Sequence, residues 1–127
     1  MLEIGMKNSC SVKVDETNTA KTMGSGSLDV FATPSMIALM EKSASECVQS
    51  HLEDGNTTVG TLMNVKHLSA TPLGMNVTAE CELVEIDGRR LVFIVTASDE
   101  RGEIGKGTHE RFIIDAERFM AKTNSRL

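Results

Sequence analysis

Glu41 is an acid lying among apolar residues. Met36, Ile37, Met40, Ala44, Cys47, Val48 and Leu52 recur at three- and four-residue steps, the repeat of a helix with one greasy side. At about 100° per residue, Glu41 falls between Val48 and Leu52, inside that stripe, whereas Lys42, Glu46 and Glu53 project to the other side. A carboxylate in an apolar setting must be paired, hydrogen-bonded or protonated, so it is a candidate functional group. The bland alternative is an acid at the edge of the stripe, reaching water or pairing with a buried arginine.

Four more residues have ordinary structural readings when taken one at a time. Thr33 precedes Pro34, and together they read as an N-cap hydroxyl and a proline in the first turn. His67 sits on a strand-like run, where a histidine is more often a satisfied or surface residue than a shuttle for protons. Gly60 interrupts the same run and signals a bulge or a close backbone approach. Arg111, among the scattered cations Arg89, Arg90, Arg101 and Lys106, can pair with Glu41 or Glu110 or meet an anionic ligand. His51 reads as a residue near a helix end, and His109 as a strand residue of undetermined facing.

These residues are positioned by a simple order of elements. Residues 9–14 alternate as a short strand, and 15–29 are small and polar, a loop or flap beside Thr33. The helix is predicted from about 34 to 53, with Gly55 as its stop. Strands follow near 57–69 and 75–86, with a break at 71–74. Asp87-Gly88 marks a hairpin into a strand from Arg90 to Ala97, and a last strand covers 103–114. The tail from Asp115 adds a short helical turn. One helix covers only one face of such a sheet, so self-association into a homodimer is expected for the rest.

Composition narrows the function further. The 127 residues form one domain by length, with 40% hydrophobic and 24% charged residues. A net charge of −5 with no basic block, together with four Phe and neither Trp nor Tyr, argues against nucleic acid as a partner. The eight methionines suit an adaptable core or an acyl-chain pocket. Cys10, Cys47 and Cys81 have neither disulfide-framework nor metal-ligand spacing and read as reduced thiols. No metal site is expected. With no signal-peptide core and no apolar run of membrane length, the chain is expected to be cytoplasmic and away from membranes.

The segments Val30 to Met36 followed by Glu41, Val59-Gly60-Thr61 with His67, Ala70 to Met75, Glu82 to Phe93 and Gly105 to Arg111 occur in one order over residues 30–114. In that series the chain resembles the fluoroacetyl-CoA-thioesterase-like hot-dog family. The resemblance implies an α+β hot-dog fold, residues 1–127 forming one domain in which a long central helix is wrapped by an antiparallel five-stranded sheet. It implies an acyl-CoA thioesterase with Thr33, Glu41 and His67 as the catalytic group, Gly60 and Arg111 at the substrate, and no cofactor beyond the CoA of the substrate itself. Thioester hydrolysis needs a base or nucleophile, a polariser for the carbonyl and a proton for the leaving thiolate. Glu41 can activate water or attack directly, His67 can move the proton, and Thr33 can orient either. Backbone N–H groups, that of Gly60 among them, can hold the oxyanion. The family's fluorinated-substrate enzyme uses bulky groups to lid its site, but Gly24 to Leu28 contains no aromatic residue here. The expected substrate is therefore a general short or medium acyl-CoA. The same scaffold also supports a hydratase or dehydratase of acyl thioesters, or a non-catalytic acyl-CoA-sensing dimer.

Overall fold

In the computed structural model, which describes residues 1–127, the apolar helix stripe lies on alternating rows of two central strands. Strands β1 (Lys7–Lys13), β2 (Asn56–His67), β3 (Asn76–Asp87), β4 (Arg90–Asp99) and β5 (Gly102–Asp115) form one antiparallel sheet in the order β1-β3-β4-β5-β2. Helix α2 (Thr33–Gln49) crosses one face of it; α1 (Ala20–Met23) precedes it, and α3 (Ala116–Asn124) ends the chain. Successive strand residues point to opposite faces, so β3 presents Val77, Ala79, Cys81 and Leu83 to the helix, and β4 presents Leu91, Phe93, Val95 and Ala97. Met36, Met40, Ala44 and Val48 of α2 close over those rows and are fully buried. At Gly105 a side chain would not fit: a Cβ there would come within 2.6 Å of Met36 Sδ. The missing Cβ lets the start of α2 settle against β5.

Several expectations from the sequence are corrected. The helix ends at Gln49 rather than near 53, because His51 N–H and Leu52 N–H bond back to Val48 and Gln49 carbonyls at 2.9 and 3.3 Å and tighten the last turn. The N-cap of α2 is Ala32, without a side-chain cap, and Thr33 is already helical. Thr33 is therefore not the cap, and its hydroxyl is free for another partner. The loop 15–29 contains α1, capped by the Thr19 hydroxyl and ended by Gly24 at φ 73°. Backbone bonds from Ala20 N to Val30 O (2.8 Å) and from Lys21 N to Leu28 O (3.1 Å) fold this segment back on itself. The hairpin turn is Gly88-Arg89, one residue later than expected, and α3 is nine residues long rather than a single turn.

One topological feature governs the site. β2 follows the helix in sequence yet lies at the sheet edge, paired with β5 alone. Its register with β5 shifts between Gly60 and Leu62, leaving Thr61 as the extra residue of a bulge. The outer row of β2 backbone groups has no strand partner within the chain, and Leu62 and Leu68 stand exposed on and just beyond that edge.

Candidate functional site

The five residues singled out from the sequence form two groups. At the first turn of α2, Thr33 Oγ1 lies 2.7 Å from His67 Nδ1 at the last residue of β2. The ring is partly covered, and burial pushes its imidazole below the ordinary value, with the Ser69 backbone opposing the shift. Nε2 of the same ring is buried without a hydrogen-bond partner. A shallow cleft of about 250 Å³ opens beside this pair, walled by Ala20, Ser25, Val30, Leu68 and Ser69. The residue-15–29 segment thus forms part of the wall next to Thr33.

The second group gathers around Gly60. A Cβ at that position would stand 2.7 Å from Glu41 Oε2, 3.3 Å from Arg111 Nη1 and 3.3 Å from His109 Cε1. Only a glycine leaves these three side chains room to meet over the strand. Glu41 Oε2 is 3.9 Å from Arg111 Nη1, an ion pair between a nearly buried guanidinium and a carboxylate whose side chain is 42% exposed. The expectation of an acid enclosed by apolar neighbours is therefore corrected. Glu41 lies at the border of the stripe, where the helix runs out over the bulged edge strand.

Glu41 is not beside His67 within one chain. Eight helical residues separate Thr33 from Glu41, roughly 12 Å along the axis. Seven residues separate Gly60 from His67 along β2, a span of roughly 20 Å. Each group is anchored at its own end of these two elements.

The sequence reading missed His109 and Thr58. Arg111 donates from Nε to Thr58 Oγ1 at 2.8 Å and from Nη2 to the Thr58 carbonyl at 3.0 Å. His109 is 1% exposed, packs 6.1 Å from the Phe93 ring centroid, and is pushed below the usual imidazole value by burial. The signal for His109 was present, because residues two apart on a strand share a face and Arg111 was already a candidate. His51 is exposed at the end of α2 and joins neither group.

The thiols do not compete for a catalytic role. All three are free, and burial raises each; Cys81 is pushed up to about 12. No helix is long and apolar enough to cross a membrane.

The two depressed histidines also make a stability prediction. Unfolded, each ring titrates near ~6.5. As pH falls through that value the unfolded chain takes up protons that His67 and His109 refuse when folded, so stability present above the window is lost within it. The carboxylates held low (Asp15, Asp99 and Glu110) act in the same sense but only below about pH 5. Thermal unfolding should thus fall between about pH 7 and 5, and fall less in His109→Gln; an identical slope in that variant contradicts the assignment.

The sequence profile of a family described as fluoroacetyl-CoA-specific thioesterase matches residues 14–117. The chain is 44% identical over 98 residues to a fluoroacetyl-CoA thioesterase of Streptantibioticus cattleyicolor, covering 77% of this chain and 70% of that protein. Its structure is similar to that of the fluoroacetyl-CoA thioesterase FlK, with TM-score 0.94 and 34% identity over 100% of this chain and 98% of that one. A thioesterase superfamily member from Thermus thermophilus superposes with TM-score 0.89 and 25% identity, covering 97% and 91% of the two chains.

Proposed function

This chain belongs to the fluoroacetyl-CoA-specific thioesterase family of hot-dog proteins and is a thioester hydrolase, and from that premise we propose that it cleaves short or medium acyl-CoA with Thr33, Glu41 and His67. The observation that carries this reading is the Thr33–His67 pair, whose buried Nε2 has no partner beside an open cleft. A buried polar atom left unpaired is costly, so this nitrogen calls for a partner, which a substrate in the cleft can supply.

The hydrolytic step follows from the groups in place. Water attacks the thioester carbonyl, and Glu41 takes its proton; alternatively Glu41 attacks, and water then opens the anhydride. The C–S bond breaks, the sulfur leaves as thiolate, and the proton passes through His67 Nε2 to the sulfur. In that role Nδ1–H donates to Thr33 Oγ1, which fixes the ring. The first turn of α2 has neither a side-chain cap nor an acid. Pro34 supplies no N–H and Met36 N–H bonds to the Ala32 carbonyl, so the contribution of this turn is the positive end of the helix dipole beside Thr33, where a developing oxyanion gains most. Gly60 and Arg111 serve the substrate side next to Glu41. No cofactor is required beyond the CoA being released.

The three groups meet when a second copy is added. β2 carries both halves on one open edge, Gly60 with Glu41 at one end and His67 with Thr33 at the other. A two-fold axis through the middle of that strand, near Met63 and Asn64, lays the Gly60 end of one protomer against the His67 end of its partner. Two composite sites result, each with Thr33 and His67 from one chain and Glu41 from the other.

The cleft walls argue for breadth of substrate. Ala20, Ser25, Ser69 and Ala70 are small, the one phenyl ring of the wall, Phe31, is 1% exposed and packed into the core, and no aromatic residue stands between Gly24 and Leu28. A panel of acyl-CoAs from acetyl and fluoroacetyl to octanoyl, read by a thiol-reactive dye, tests both levels. Release of CoA from several short chains, acetyl included, is the expected result. Hydrolysis of fluoroacetyl-CoA alone would overturn the breadth. Binding without CoA release, or hydration of an enoyl-CoA without it, would favour the sensor or the hydratase.

A further inference from the structure

His109 belongs to none of the roles assigned above, yet it is the most completely buried charged-type side chain beside Glu41. An arginine has donors only, so the 3.2 Å contact between Arg111 Nη1 and His109 Nε2 requires Nε2 to be the acceptor. The proton is then on Nδ1, which donates to the Leu62 carbonyl at 2.8 Å. Leu62 closes the bulge that also contains Gly60. The ring is therefore fixed at both nitrogens, neutral, and backed by Phe93.

The guanidinium is held in the same way. Nε donates to Thr58 Oγ1, one Nη2 hydrogen goes to the Thr58 carbonyl and one Nη1 hydrogen to His109 Nε2, which leaves the second Nη1 hydrogen uncommitted. Glu41 Oε2 is left at 3.9 Å, about 1 Å beyond the 2.7–2.9 Å of a charge-assisted N–H···O bond. The carboxylate feels the positive charge without being hydrogen-bonded to it. A base or nucleophile tied into a close guanidinium bond is a poorer one, because the lone pair it needs is already engaged.

We propose that His109 is a positioning residue that holds the Arg111 guanidinium off Glu41 and so keeps the carboxylate free to react. The inference rests on the reading of Glu41 as the reacting acid. His109 acts through Arg111 and touches no substrate. Without that acceptor the planar guanidinium, still anchored on Thr58, loses the bond that draws Nη1 toward His109 and tilts toward Glu41 Oε2, closing the 3.9 Å gap.

Steady-state kinetics of the full chain, with whichever acyl-CoA the panel shows to be turned over fastest, provide the test. Asn at 109 keeps a donor for the Leu62 carbonyl but cannot reach Arg111; Gln can place an oxygen where Nε2 was. His109→Asn is expected to lower kcat on the order of 10- to 100-fold with KM nearly unchanged, and His109→Gln to regain most of it. In a Glu41→Gln background, His109→Asn should add nothing, since the group it protects is gone. Equal losses in the Asn and Gln variants, a loss confined to KM, or losses that multiply in the Glu41→Gln background would each overturn the proposal. Should the Asn variant fail to fold, His109→Phe fills the space against Phe93 without an acceptor and takes its place. A Glu41→Gln protein as active as wild type removes the reading of Glu41 itself. Loss in Glu41→Gln alongside full activity in His109→Asn removes only the role of His109.

Discussion

Glu41→Gln should lower kcat by about 10²- to 10⁴-fold, the range that a positioned base contributes, while the protein stays folded. Gln keeps the size and the polarity of the side chain but loses the lone-pair basicity and the nucleophile. The structural cost is small: a half-exposed ion pair at 3.9 Å contributes at most about 1 kcal/mol, and Arg111 keeps its Thr58 and His109 partners. Gly60→Ala provides an independent route to the same loss. Gly60 is not among the residues with positive φ, so alanine suffers no backbone strain there. Its Cβ would lie 2.7 Å from Glu41 Oε2, the mobile tip of a long side chain, so the carboxylate moves rather than the strand. We expect a large fall in kcat with a melting temperature close to wild type. Glu41→Gln with undiminished turnover would remove the acid from the reaction, whatever Gly60→Ala does.

Two inactive variants should restore each other. In the proposed dimer, the Glu41→Gln and His67→Ala variants each lack one component of both composite sites. Mixed by unfolding and refolding together, they form heterodimers in which one site has wild-type Glu41 facing wild-type His67. Random assortment makes half the dimers mixed, and one of their two sites is whole, so roughly a quarter of wild-type activity should return. No recovery, in a mixture shown to contain heterodimer, would place the reacting groups within a single chain. That outcome conflicts with the separation of the Thr33–His67 pair from the Glu41–Gly60 group, unless the helix shifts by about 12 Å. Charged substitutions at Leu62, on the exposed edge strand, would in turn weaken the dimer if this edge is the interface.

The sequence made much of this architecture legible because its signals are local. Three- and four-residue spacing marked α2, alternation marked β3 and β4, and glycine turns marked the boundaries to within a few residues. Local signals failed where a tertiary bond decides the outcome. The hydroxyl of Thr33 was read as a cap because a threonine before a proline at a helix start usually is one. In the structure the helix begins one residue earlier, with Ala32 at the cap position, and the hydroxyl so freed meets His67, thirty-four residues later. The burial of Glu41 was overestimated for a related reason. A helical wheel shows which side a residue faces, but it does not show where the sheet beneath ends, and Glu41 projects over the bulged edge rather than the middle.

The chain by itself thus determined its elements, their order and the residue types able to carry acid–base chemistry, because each follows from propensity and periodicity along neighbouring residues. The tertiary structure alone decided that β2 lies outermost, that Gly60, Glu41, His109 and Arg111 converge while Thr33 and His67 meet elsewhere, and that one imidazole nitrogen remains unpaired. Those facts depend on strand order and register, which are set by how apolar faces pack across the whole sheet and are written in no single stretch of sequence.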